Sequence, residues 1–214
     1  MAKYTKEERA FFNEVLANLK SIIDHNETIG STFKDRLEYA LKRGFPIDYV
    51  PSKNHVPLLF AALQRYQDND AIEILLEAGA DVNVTESKYI RNALLTAIGR
   101  GGMQASIIRK ILENTQDINH QDMYGYTAFG MLCSQLVTPG PLQPNGYWEL
   151  LVPMLKAGAD PYLCNHWTDW SAYTSEYAEK RNAIVKKIQT VIDNYFQLQN
   201  ELSEKSSQTY DYEL

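Results

Sequence analysis

Residues 74–83 read ILLEAGADVN, and residues 153–162 read PMLKAGADPY. Ala-Gly-Ala-Asp falls at the same place in both, after a run of apolar residues. Two weaker copies complete the series, LKRGFPIDY at 41–49 and ILENTQDIN at 111–119. Aligned on the glycine, they place Gly44, Gly79, Thr115 and Gly158 at intervals of 35, 36 and 43 residues. The longest interval holds LVTPGPLQPNGY (136–147), where Pro139, Pro141 and Pro144 forbid a continuous helix and mark a loop insertion. Without most of that insertion the period is about 33–36 residues, the signature of a repeat array.

Each unit predicts the same pair of helices. PLLFAALQRY (57–66) is a short apolar helix with Pro57 suited to its first turn, and QDND (67–70) is a polar turn. A second helix then sets Ile72, Leu75 and Leu76 on one side, at helical spacing. A glycine ends it, because the closing position needs positive φ and glycine has no Cβ to clash. The next unit repeats the logic with NALLTAIGRGG (92–102), Ser106 as an N-cap, and Ile107, Ile108, Ile111 and Leu112 as the buried stripe. Neither helix of a pair buries its stripe alone, so stacked pairs build one continuous core.

At these residues the chain resembles the ankyrin-repeat family. The resemblance rests on Gly79-Ala80-Asp81-Val82-Asn83, on Gly158-Ala159-Asp160, and on Asp122, Gly125 and Thr127 in the spacing Asp-x-x-Gly-x-Thr. The family's first-helix motif, Thr-Pro-Leu-His-x-Ala, survives in degraded form as Val56–Ala61, Asn92–Ala97 and Thr127–Leu132, without its histidine in any copy. The resemblance covers roughly residues 33–196 and implies an all-α solenoid of about four helix–turn–helix repeats.

The ends predict helical caps. Residues 1–32 contain Thr5-x-x-Glu8, the pattern of a capping box, ahead of a stripe formed by Phe11, Phe12, Val15, Leu16, Leu19, Ile22 and Ile23. These features read as an N-terminal capping helix, and TFKDRLEYALKRG (32–44) as the second helix of a partial first unit. Residues 33–196 form the array with its Pro-rich insertion at 136–147. Residues 171–202 lack the glycine phrase, and Ile184, Ile188, Val191, Ile192 and Tyr195 suit a long C-terminal cap. Residues 197–214 read as the helix end and an acidic, disordered tail.

Composition excludes several function classes. A net charge of −6 argues against a general nucleic-acid binder, which needs a basic face for phosphates. No run of eighteen apolar residues offers a membrane span, and the charged opening MAKYTKEERAFF does not read as a signal peptide. The expectation is a cytoplasmic protein, with delivery into a host cell without a classical signal peptide left open. Phosphate loops and common hydrolase or metalloprotease motifs are absent. Cys164-x-His166 could open a metal site, but nothing nearby supplies two further ligands at a usual spacing. Cys133 falls within an apolar first-helix run, where packing outweighs a nucleophile–base pairing with one of the four histidines. No catalytic residue, cofactor or metal is predicted.

The resemblance implies binding through hairpin tips and the inner face of the first helices. The matching tip positions are Ser52, Lys53 and His55; Lys88, Tyr89 and Arg91; Met123, Tyr124 and Tyr126; His166, Trp167 and Asp169. They are rich in the aromatic, Met and Arg side chains that protein interfaces concentrate. Two readings stand: these aromatics anchor a partner, or they pack against neighbouring hairpins and stiffen the array. Lys53, Lys88 and Arg91 would favour a partner with an acidic patch. The Pro-rich insertion, with Tyr147 and Trp148, is a second candidate surface. The expectation is therefore a protein–protein interaction module. An effector, immunity or counter-defence protein that inhibits a host or competitor protein is the alternative. An enzyme, a small-ligand binder near Cys164, His166 and Trp167, and a self-assembling protein are the remaining rivals.

Overall fold

A computed structural model describes residues 4–25, 30–52, 56–64, 69–86, 89–137, 146–163 and 175–210. The described residues are all-helical. Helices α1 (Lys6–His25) and α2 (Gly30–Lys42) come first. They are followed by α3 (Leu58–Leu63), α4 (Asn69–Glu77), α5 (Ala93–Arg100), α6 (Ala105–Glu113) and α7 (Ala128–Val137). A 3-10 turn (Tyr147–Leu150) leads into α8 (Leu151–Lys156), and α9 (Ser175–Tyr210) ends the series.

The helices stand in two rows. α1, α3, α5, α7 and α9 pack one on the next along the inner row; α2, α4, α6 and the 3-10 turn do so along the outer row. Helix α1 is thus in line with the first helices of later units and pairs with α2. Its start carries the reciprocal capping bonds that Thr5 and Glu8 predict: the Thr5 amide donates to Glu8 Oε2 at 2.7 Å and the Glu8 amide to Thr5 Oγ1 at 3.1 Å. One apolar core runs the length of the stack, from Phe12 through Leu75 and Ile111 to Ile192. Helix α9 continues to Tyr210, beyond the end at Leu202 that its apolar stripe suggests, since neither Gly nor Pro interrupts 175–210.

The repeated glycine ends the outer helices as its chemistry requires. Gly44, Gly79 and Gly158 have φ of +83°, +86° and +90°. In each case the glycine amide and the one after it return to carbonyls of the last helical turn, as in Ala80 N–H to the Leu75 carbonyl at 3.0 Å. Ser106, expected as an N-cap, lies inside α6, which starts after Gln104. Asn92 does cap α5, accepting from the Leu95 amide at 2.9 Å, and Thr127 Oγ1 accepts from the Gly130 amide at 3.0 Å at the start of α7.

A polar ladder ties unit to unit. Asp48, Asn83 and Asn119, each four residues past the glycine position, accept from the backbone N–H groups of Asp81 (3.1 Å), Gln116 (2.8 Å) and Asp160 (2.8 Å) in the next unit. The Asn83 and Asn119 amides also donate to the carbonyls of Asn114 and Gly158, both at 3.0 Å. These bonds fix neighbouring hairpins at the same height, and so determine which tip side chains meet.

Candidate partner-binding site at the hairpin tips

Two neighbouring hairpins, 86–91 and 122–126, form one structure at the tips. Each is organised by a buried carboxylate at its first residue. Glu86 Oε1 accepts from the Tyr89 amide at 2.6 Å, and the Glu86 amide donates to the Arg91 carbonyl at 2.9 Å. Asp122 Oδ1 accepts from the amides of Tyr124 (2.9 Å) and Tyr126 (3.0 Å), while the Asp122 amide donates to the Tyr126 carbonyl at 3.0 Å. The closing bonds make Arg91 the counterpart of Tyr126 and Ile90 the counterpart of Gly125.

Polar contacts and a ring pair join hairpin 86–91 to hairpin 122–126 and to the His120 just before it. Arg91 Nε donates to Asp122 Oδ2 at 3.0 Å, and the Asp122 side chain is 0% exposed. The Met123 amide donates to the Tyr89 carbonyl at 2.9 Å, and His120 Nε2 lies 2.6 Å from the Ile90 carbonyl oxygen. The rings of Tyr89 and Tyr124 sit 6.2 Å apart, with the Arg91 guanidinium 5.3 Å from the centre of Tyr89. A buried carboxylate holding two backbone amides and a guanidinium is a rigid arrangement, because losing any donor would leave a desolvated charge under-paired.

This framework presents apolar groups to solvent. Ile90 is 49% exposed, Met123 54% and Tyr124 55%. Ile90 also has φ of +59°, alone among the described non-glycine residues in being positive. Its counterpart Gly125 has φ of +79°, where the absence of a Cβ removes the conflict.

Of the predicted tip residues, the structure brings Tyr89, Arg91, Met123, Tyr124 and Tyr126 together across these two hairpins. Tyr89, Arg91 and Tyr126 are half-buried, and Met123 and Tyr124 are exposed. Ser52 is exposed on a separate bend. Lys53, His55, Lys88, His166, Trp167 and Asp169 lie outside the described residues. Arg91, expected as a charge that attracts an acidic patch, has its charge taken up by Asp122. Three participants escaped the sequence reading: Ile90, Glu86 and His120. The segment closed by Glu86 and Arg91 is one residue longer than that closed by Asp122 and Tyr126, which hides the equivalence of Ile90 with Gly125.

The second candidate surface changes character. Residues 138–145 of the insertion lie outside the described residues, and Tyr147 is buried in the core rather than offered at a surface. Burial pushes its phenol up to about 12, with the backbone of Met103 pulling the other way. Trp148 is half-buried beneath Lys187, whose Nζ is 4.3 Å from the ring centre, so this pair anchors the segment against α9. Cys133 is buried in the core, and Cys164 lies outside the described residues. Among the described residues no group of three or more His, Cys, Asp or Glu side chains could hold a metal ion, and no helix is long and apolar enough to cross a membrane.

Helix pairs stacked one on the next, with glycine closing α2, α4 and α8, define a helical repeat architecture. An ankyrin-repeat family model matches residues 53–87, which span α3, α4 and the glycine-ended turn. Residues 53–87 therefore carry an ankyrin repeat. Ankyrin repeats are in general protein–protein interaction modules. No curated protein matches the chain.

Proposed function

We propose that the chain recognises another protein through the paired tips 86–91 and 122–126, with Ile90, Met123 and Tyr124 as the contact groups and Glu86, Arg91 and Asp122 as their support. The array behind them consists of four stacked helix pairs, α1/α2, α3/α4, α5/α6 and α7/α8, with α9 closing the C-terminal end. The observation that carries this reading is Ile90. A β-branched residue in the left-handed region costs about 1–2 kcal/mol, and here it sits where the neighbouring hairpin uses glycine. Strain of this kind persists only where the surroundings over-determine it, and it gathers at binding sites. With Ile90 49% exposed, burial of its side chain offsets that cost only in part.

Rigid support lowers the loss of freedom on binding, so a small apolar patch can be a strong anchor. Because Arg91 is neutralised by Asp122, recognition here rests on apolar fit and ring contact rather than on attraction to an acidic patch. The test is a pull-down from source-cell, host and competitor lysates with wild type beside a Met123→Ala/Tyr124→Ala variant whose helical circular dichroism is unchanged. A partner held by wild type and lost by the variant is the expected result, and its source also shows whose protein is bound. A partner held equally by both would contradict the assignment of the site.

A further inference from the structure

A second interaction surface lies at the N-terminal end of the stack, on the face of α1 and α2 that is turned away from α3 and α4. A groove there is lined by Phe11, Glu14 and Val15 of α1 and by Asp35, Arg36 and Tyr39 of α2, with Arg43 just beyond. Its centre is an aromatic–guanidinium stack. The Arg43 guanidinium carbon is 4.7 Å from the centre of the Phe11 ring and 5.5 Å from that of Tyr39, and Arg43 Nη1 donates to the Tyr39 hydroxyl at 2.8 Å. Tyr39 is 59% exposed.

The charges on this face are balanced but unpaired. Glu14 and Asp35 are negative, Arg36 and Arg43 positive, and among the described residues none of the four forms an ion pair. Asp35, Tyr39 and Arg43 lie four residues apart, so they share one stripe along and just past α2. That stripe is self-complementary. If two copies of α2 meet antiparallel about Tyr39, Asp35 of each copy falls opposite Arg43 of the other, and the two tyrosines meet at the axis. A two-fold contact repeats every pairing, so one stripe supplies two ion pairs.

We propose that this face is a homodimer interface, formed by a second copy of the chain docking antiparallel on the Asp35–Tyr39–Arg43 stripe. The area sets its strength. The face is about 30 Å long and about 20 Å wide from helix rise and spacing, which would bury on the order of 1,000 Å² in total, the lower end for a specific interface. The dimer is therefore reversible, concentration-dependent and weakened by salt. The interface leaves the hairpin tips free, so one dimer carries two partner sites.

Sedimentation velocity on the full chain tests this directly. Wild type is expected to pass from monomer to dimer as concentration rises, and to shift back toward monomer in high salt. Asp35→Arg and Arg43→Asp are each expected to remain monomeric over the same range, because each places like charges opposite one another. An equimolar mixture of the two variants is expected to form a heterodimer. The introduced arginine of one copy then faces the introduced aspartate of the other, and the native Arg43 of the first faces the native Asp35 of the second. Circular dichroism of each variant controls for folding. A wild type that stays monomeric up to its solubility limit would overturn the proposal. So would a dimer that survives in both single variants, or a mixture in which the two variants fail to pair.

Discussion

Hairpins 86–91 and 122–126 solve one problem with different residues, and the difference separates what the fold needs from what it does not. Both start from a buried carboxylate, Glu86 or Asp122, that accepts from amides within its own turn. Both close by a backbone bond from that first residue, and both need a positive φ one residue before the close. The second hairpin meets the last need with Gly125. The first meets it with Ile90, which strains the backbone and exposes an apolar side chain beside Met123 and Tyr124. The carboxylates belong to the architecture; the isoleucine is an addition to it.

The largest effect is expected from the shared element. Asp122→Ala strands the amides of Tyr124 and Tyr126 and leaves Arg91 without its counter-charge, so unfolding by denaturant should show a loss of about 2–4 kcal/mol. A loss below about 0.5 kcal/mol would mean that the hairpins are held by their backbone bonds alone. Next comes the reciprocal of the natural difference. Gly125→Ile puts a β-branched residue into the second left-handed position and should cost about 1–2 kcal/mol in the same assay. An unchanged midpoint would show that the turn relaxes freely and that Ile90 stores no strain. Tyr124→Ala should change stability by less than about 0.5 kcal/mol, as an exposed ring contributes little to folding. A larger loss would assign the ring to packing and weaken its role as an anchor.

What could be read from the sequence followed from what is local. Gly79 and Gly158 announced helix ends because positive φ is a property of one residue, and Thr5 with Glu8 announced a helix start because the two bonds span one turn. Thr115 shows how the same signal can be missing while the helix still ends: Asn114 Nδ2 donates to the Lys110 carbonyl at 2.9 Å and Thr115 Oγ1 to that of Ile111 at 2.9 Å. The Thr115 hydroxyl thus takes the Ile111 carbonyl, whose counterpart at Leu75 is served by the amide after Gly79. The ladder of Asp48, Asn83 and Asn119 was visible only as a repeated position, since its bonds exist only once the units stack. Tyr89, Arg91, Met123, Tyr124 and Tyr126 were legible as tip residues from the period. That Arg91 pairs with Asp122 and that Ile90 stands exposed at the tip depend on which hairpin faces which, and a one-residue difference in length conceals that.

If Ile90 is strained for the sake of a partner, relieving the strain should stabilise the fold and weaken recognition together. Ile90→Gly tests this, with stability and partner capture measured on the same preparation. The expected outcome is a gain of about 1 kcal/mol in stability as the left-handed strain is relieved, together with loss or marked weakening of the captured partner. A variant that is no more stable than wild type, or that holds its partner as well, would show that Ile90 is not strained for binding.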